Sequence, residues 1–388
     1  MAWLFFIVMV DAIGFGIILP LLPIFALKFH LDAFELGVLT AVFSFFQLIT
    51  APILGALSDR FGRKLIIVVC LLFIGLSYAL LANSQTFLMA FLARGLAGMF
   101  TGNVSVVLAS VADLSSEKNR AKYMGYIGAG TGIGFILGPV IGGFIAGDSV
   151  EEANLHLVFY IAAIFTTLAG ILAMFFLKET LSVKSTKIDI HFWTKLKRVT
   201  NIIFFKKELV FLLYLSVFMW FSFTSVNVFL TTWSVEKFNI SPFHLGLIGT
   251  VFALIAALVQ VISPYFLSGG KAILIGFQIS ALSMFAMLFN PGWEVLAIIV
   301  ISLATGIGIL FPNLNSTISL YGSSQQRGFI LGMSQSASTL GQTIGPVVIG
   351  WLYVSYSPFL GFLGIGLSFA AASLITLHYM LNNRRNLS

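Results

Sequence analysis

Residues 134–143 read Gly-Phe-Ile-Leu-Gly-Pro-Val-Ile-Gly-Gly, and residues 341–350 read Gly-Gln-Thr-Ile-Gly-Pro-Val-Val-Ile-Gly. Gly134, Gly138, Pro139 and Gly143 recur as Gly341, Gly345, Pro346 and Gly350, and upstream Gly125 recurs as Gly332; from 134 to 341 the offset is 207 residues. Small residues at a spacing of four make a flat helix face for close packing, and a proline among them removes a backbone hydrogen bond and permits a bend. Both copies lie in apolar sequence. A repeat of about half the chain's length in such a setting predicts two homologous membrane halves.

Composition points the same way. Of 388 residues, 59% are hydrophobic and 9% charged, against roughly 25% charged in soluble domains. Apolar runs of roughly 20 residues, long enough to cross about 30 Å of hydrocarbon, recur along the chain and leave no room for a soluble domain. They predict twelve spans at 2–26, 36–57, 65–82, 87–112, 123–145 and 155–177, then 209–233, 245–267, 272–289, 295–320, 328–353 and 358–381. Helices are expected, because barrel strands would alternate in short segments instead of running apolar on every face. The expected fold is therefore an all-α membrane protein of two six-helix pseudo-repeats around a central cavity. Its parts are an N-terminal half at 1–177, a cytoplasmic linker at 178–207 and a C-terminal half at 208–388. Parallel repeats of this kind point to alternating-access transport.

The basic residues orient the chain. The loops after the even-numbered spans, the linker and the C-terminal tail hold 18 of the 21 Lys and Arg residues; the other side has only Lys28 and Lys237, with Arg94 inside the fourth span. Both termini are thus expected in the cytoplasm, and the net charge of +7 records topology rather than nucleic-acid binding. Residues 1–26 lack a basic leader and a small-residue cleavage site and contain Asp11, so they read as a retained first helix rather than a signal peptide. In the linker, Ile190, Phe192, Trp193, Leu196 and Val199 among basic residues suit an amphipathic helix on the inner leaflet. Lone Cys70 excludes a disulfide framework, and no metal or cofactor site or catalytic constellation is apparent, so no cofactor and no enzyme activity are expected. The expected partners are a small solute, protons and the lipid bilayer around a monomer in a bacterial inner membrane.

Between the second and third spans stands Gly55-Ala56-Leu57-Ser58-Asp59-Arg60-Phe61-Gly62-Arg63-Lys64. Gly55 is expected to let helices approach and Gly62 to permit a tight turn, while the mixed charges can pair with neighbouring helix ends in one conformation only. This string resembles the signature cytoplasmic loop of the major facilitator superfamily. The resemblance implies a latch in which Asp59 and Arg63, with Arg60 beside them, lock the inward-closed arrangement, and Asp113 is their ionic partner. The corresponding second-half loop, Ser268-Gly269-Gly270-Lys271, keeps almost none of this charge.

The first span, from Asp11 through Gly14, Phe15, Gly16, Pro20 and Pro23, is similar to the first helix of the drug:proton antiporter group, tetracycline efflux proteins in particular. Asp11 is the only acidic residue well within a predicted span. A carboxylate there must face the bundle interior or water, where it is a natural proton-coupling site; the bland reading is a hydrogen bond that orients the helix. Arg94, followed by Gly95, Gly98 and Gly102, resembles the superfamily's fourth-span motif, in which a buried arginine is associated with proton coupling. A structural clamp on neighbouring backbones is the alternative. Gly134, Gly138, Pro139, Gly142 and Gly143 fit the group's antiporter motif, which implies a hinge that controls leakage, and Gly345 and Pro346 echo it. Two departures stand out: Ser77 and Ser280 replace the acidic residues of tetracycline efflux proteins in the third and ninth spans, which argues against a metal-tetracycline chelate as cargo.

Polar and aromatic residues within spans mark the expected cavity. Trp220, Phe223, Thr224 and Asn227 share one helix face, Gln335, Ser338 and Gln342 another, and Phe15, Gln47, Asn103, Gln260 and Asn313 add single positions. Helix-to-helix hydrogen bonding is the structural alternative for each polar residue. Aromatics and amides without a fixed second-half charge suit a largely apolar or amphipathic solute. The leading expectation is a proton-driven exporter of a small organic compound: a drug, siderophore or metabolite. An uncoupled facilitator or proton symporter for a sugar or amino acid is the other.

Overall fold

The computed structural model describes residues 1–115, 117–181, 207–320 and 327–382. Linker residues 182–206, with the amphipathic helix expected there, lie outside the described residues. The first six long helices are α1 (Ala2–Lys28), α2 (Ala33–Phe61), α3 (Arg63–Ala82), α4 (Phe87–Leu114), α5 (Glu117–Ala146) and α6 (Leu155–Phe176). The next six are α7 (Lys207–Phe238), α8 (Pro242–Ile262), α9 (Gly269–Ala286), α10 (Trp293–Ser319), α11 (Arg327–Ser355) and α12 (Pro358–Asn382).

Local chemistry sets the boundaries and breaks. Pro20 lacks the N–H that would bond back to Gly16, and α1 tightens there into a 3-10 turn at Leu19–Leu21. A reciprocal capping box opens α2: the Glu35 N–H donates to Asp32 Oδ1 (2.7 Å) and the Asp32 N–H to Glu35 Oε2 (3.0 Å). Thr86 and Asn154 cap α4 and α6 by accepting from the backbone N–H groups of Met89 and Leu157. Among the described residues, eleven helices are long and apolar enough to cross a bilayer, and α11 is not counted among them. Its Ser334, Gln335, Ser336, Ser338, Thr339, Gln342 and Thr343 dilute the apolar run that length alone would predict.

The chain forms two compact units. One comprises Met1–Leu31, Val38–His191 and Asn239–Thr250; the other comprises Asp32–Gly37, Phe192–Phe238 and Val251–Ser388. Within the first, α1 packs on α5 and α6, and α3 on α6 and α4; within the second, α7 packs on α11 and α12, and α9 on α12 and α10. The second pattern is the first shifted by six helices. Leu4, Ile7, Ile67, Cys70, Leu71, Val106 and Ala169 lie in one buried cluster of the first unit. Outward faces stay apolar, with Phe144 and Phe175 more than 70% exposed, as helices bathed in lipid tails require.

The glycine frame explains why the first unit takes in Asn239–Thr250 and the second Asp32–Gly37. Gly134, Gly138 and Gly142 line one face of α5, where an added methyl would strike Ala12, Gly16 and Ile17 of α1. The other face of α5, carrying Pro139 and Gly143, sits on Pro242 and Gly246 at the start of α8. The second copy repeats both roles. Gly341 and Gly345 press on the backbone of Val217 and Phe221 in α7, while Pro346 and Gly350 receive Gly37 and Ala33 at the start of α2. Each copy is thus a two-sided seat that draws one foreign helix end into its own unit. Among the described residues, Gly125 and Gly332 have nothing within 4 Å of an added methyl, so the packing frame seen there is four positions, not five. Gly55 departs from expectation as well: a methyl there would meet only Ser105 Oγ, at 3.9 Å, which is ordinary contact. Both α5 and α11 continue as helices through Pro139 and Pro346.

Candidate functional site

The charged loop after α2 forms one closed network within the first unit. Gly62 has φ +111°, a left-handed conformation that favours glycine, and it turns the chain so that Arg63 opens α3. The buried Arg63 guanidinium pairs through Nη2 with Asp59 Oδ1 (2.6 Å) and through Nε with Asp113 Oδ2 (3.2 Å), and Nη1 donates to Ser58 Oγ (2.5 Å). Its rigid fork of donors suits three acceptors arranged in this way. Arg60 stands outside this network, exposed, with its guanidinium 5.2 Å from the Phe61 ring.

Glu179, just beyond α6, completes the network and was not foreseen from the sequence. Its Oε1 accepts from the backbone N–H groups of Arg63 (2.9 Å), Thr180 (2.9 Å) and Leu181 (3.1 Å), and Thr180 Oγ1 donates to Asp113 Oδ2 (3.3 Å). The carboxylate satisfies an N–H of the first turn of α3 at the positive end of that helix. A methyl at Gly62 would collide with it. At the repeat-related position Gly269 also has positive φ, +62°, so the second unit keeps the turn while its sequence lacks the charges.

The α1 carboxylate occupies a second cluster in the same unit. Asp11 is partly buried, and its carboxyl lies beside the hydroxyl of Thr166 on α6, near enough to interact but without a hydrogen bond of good geometry. Buried Cys70 and Tyr78 on α3 are within its electrostatic reach. Arg94 on α4 is 3% exposed; its Nε donates to the Leu39 carbonyl of α2 (3.3 Å) and its guanidinium lies 4.5 Å from the Phe43 ring centroid. Tyr78 is the residue that feels both Asp11 and Arg94. Gly98 and Gly102 of α4 meet the backbone of Phe43 and Ala51 in α2, so the fourth-span motif is a close helix crossing beside which Arg94 bonds the α2 backbone. Ser77 and Ser280 are fully buried and donate to the carbonyls of Ile74 (2.6 Å) and Gly276 (2.9 Å).

The expected cavity residues separate into distinct settings. Phe15 contacts Phe43 (5.6 Å) and Phe135 (5.8 Å) in the first unit, where Gln47 is partly buried and Asn103 is buried at the break in α4. In the second unit Trp220 meets Phe223 (5.5 Å) and Phe311 (6.1 Å) edge-on, and Phe223 stacks on Phe252 (6.2 Å). Three helices therefore build one aromatic cluster, of which Phe252 and Phe311 were missed by a search along single helix faces. The amide nitrogens of Asn227 and Asn313 donate to their own helices, to the carbonyls of Phe223 and Ile309 (both 2.8 Å), and Asn313 is buried. Gln260 is partly buried and Gln335 exposed. Among the described residues no three His, Cys, Asp or Glu side chains are grouped to hold a metal ion.

The family model of the Major Facilitator Superfamily matches residues 4–269 and 212–388. This chain belongs to the major facilitator superfamily. It is an integral multi-pass membrane protein and a secondary transporter of small organic molecules, not an enzyme. Among major facilitator relatives it is 34% identical over 364 residues to the class B tetracycline resistance protein of Escherichia coli, covering 89% of this chain and 86% of that one. It is 30% identical over 358 residues to multidrug resistance protein 2 of Bacillus subtilis, again covering 89% and 86%. In structure it is similar to the human organic anion transporter MFSD10, with a TM-score of 0.73 at 22% identity over 97% of this chain and 98% of that one; this likeness bears on the fold alone.

Proposed function

We propose that this chain is a proton-coupled antiporter that exports a small, largely apolar or amphipathic organic compound, with Asp11 as the coupling carboxylate. The observation that carries the reading is the position of Asp11: a partly buried carboxyl on α1, beside Thr166 and within electrostatic reach of Cys70 and Tyr78 inside the first unit. A carboxylate held among apolar helices is costly, which makes it a functional-site candidate. Relatives named for resistance to tetracycline and to multiple drugs support export of such compounds.

In this mechanism Asp11 gives up its proton toward the cytoplasm, substrate enters, and protonation from outside favours substrate release and return. Exchange follows from competing occupancy and involves no covalent step. The network at Asp59, Arg63, Asp113 and Glu179 serves as the cytoplasmic latch, and Arg94 fixes α4 against α2 beside Tyr78. The frame at Gly134–Gly143 and its copy at Gly345 and Pro346 act as packing seats at which helices can re-aim. The twelve helices form two six-helix repeats joined by the 178–207 linker, both termini cytoplasmic, in a monomer of the bacterial inner membrane. The 207-residue offset and the matched helix pairing of the two units support that arrangement. Transport into proteoliposomes with an imposed pH gradient, screened over a library of small compounds, tests the reading. Uptake that follows the gradient in wild-type protein and is lost in Asp11→Asn supports it, and gradient-independent uptake by both overturns it.

A further inference from the structure

Most span threonines spend their hydroxyls on the preceding turn. Thr50, Thr101, Thr131, Thr231, Thr232 and Thr317 each donate to the carbonyl four residues back at 2.7–3.1 Å, the usual resting place for such a hydroxyl in a helix. Thr166 does not. It is fully buried, and its Oγ1 has no hydrogen-bond partner of good geometry, an arrangement rare enough in folded proteins to call for a reason.

Where that hydroxyl points supplies the reason. It is turned across the seam to α1, and an added methyl at Gly14 would land on it. Gly14 stands three residues after Asp11, hence on the same face of α1, and because helix side chains lean toward the N-terminus, a side chain at Gly14 would project back toward the Asp11 turn. Gly14 therefore leaves open the space in which carboxyl and hydroxyl meet. The other faces are accounted for. From α3, Cys70 and Tyr78 are within electrostatic reach of Asp11, and Arg94 of α4 acts on the same Tyr78, while α5 meets this part of α1 with Gly130 and Gly134, which bring no titratable group.

We infer that Thr166 is a positioning residue for proton exchange at Asp11, its hydroxyl donating to the carboxylate and accepting from the carboxylic acid. A hydroxyl holds one donor and two acceptor sites, so one group serves both protonation states without moving a charge. The inference rests on Asp11 as the coupling site.

Infrared difference spectra of the purified protein against pH test it directly, with the Asp11 band assigned as the protonated carboxyl stretch missing from Asp11→Asn. Thr166→Val keeps the shape and removes the hydroxyl; it should raise the frequency of that band and displace its titration midpoint by about one pH unit, the scale of one hydrogen bond to a charged group. Thr166→Ser should restore both. Unchanged frequency and midpoint in Thr166→Val, with only a gain in thermal stability, would show a merely unsatisfied core hydroxyl and overturn the inference. The coupling reading fails by a different result: pH-gradient-driven transport that survives Asp11→Asn, whatever the band does in Thr166→Val.

Discussion

Two buried arginines illustrate opposite uses of a guanidinium. Arg63 is held by carboxylates and Arg94 by a carbonyl and a ring, so the first is the hub of an ion-pair network and the second bonds one helix to the backbone of another. Arg94→Lys keeps the charge but loses both the Nε bond and the flat stacking surface, and should lower thermal stability by about 1–2 kcal/mol, read from unfolding of the detergent-purified protein. Glu179→Ala leaves three backbone N–H groups without their acceptor; hydrogen exchange at the Arg63 amide should speed up by roughly tenfold or more, with little change elsewhere. The pairing of Asp59, Arg63 and Asp113 could be anticipated because their loop resembles the superfamily's signature loop, which implies it. Glu179 could not: it lies 116 residues from the amide that it caps, at the head of a basic linker, and local spacing says nothing about a partner so distant. Thr166 was hidden for a different reason, since a hydroxyl in an apolar helix has a default partner on its own backbone and only the observed geometry reveals that it declined it.

At the level of elements, the frame shows what a repeat can and cannot announce. Small residues at a spacing of four predicted close packing on one face, and Gly138 and Gly345 do press on α1 and α7. The second face, occupied by Pro139 and Gly143 or by Pro346 and Gly350, follows from a helix having two sides, and no feature of the sequence named the helix ends seated there. Gly138→Ala and Gly345→Ala should each cost roughly 1–3 kcal/mol, because backbone must move to admit the methyl. Gly125→Ala and Gly332→Ala, with open space around them, should be neutral or slightly stabilising through higher helix propensity. Equal effects at all four positions in thermal unfolding would contradict the assignment. Gly62 and Gly269 make the same point about turns: both keep positive φ although only the first loop carries the ion pairs of Arg63 with Asp59 and Asp113, so turn geometry and charge are separable parts of the motif.

For the molecule as a whole, the expected span number and orientation rest on hydropathy and on the bias of Lys and Arg, which need no coordinates, whereas the approach of Thr166 on α6 to the Asp11 carboxyl on α1 could be found only in the structure. Orientation is directly testable, since native Cys70 is buried and should stay silent toward a membrane-impermeant maleimide. A cysteine placed at Lys195 should label only from the cytoplasmic side and one at Ser149 only from the opposite side. The central claim concerns energy coupling through Asp11, and its most direct test is the pH gradient itself. In energised everted vesicles, a fluorescent amphipathic dye that is a substrate should dissipate the proton gradient when wild-type protein is present and leave it intact with Asp11→Asn at equal membrane abundance. Equal dissipation by both proteins would contradict the assignment of Asp11.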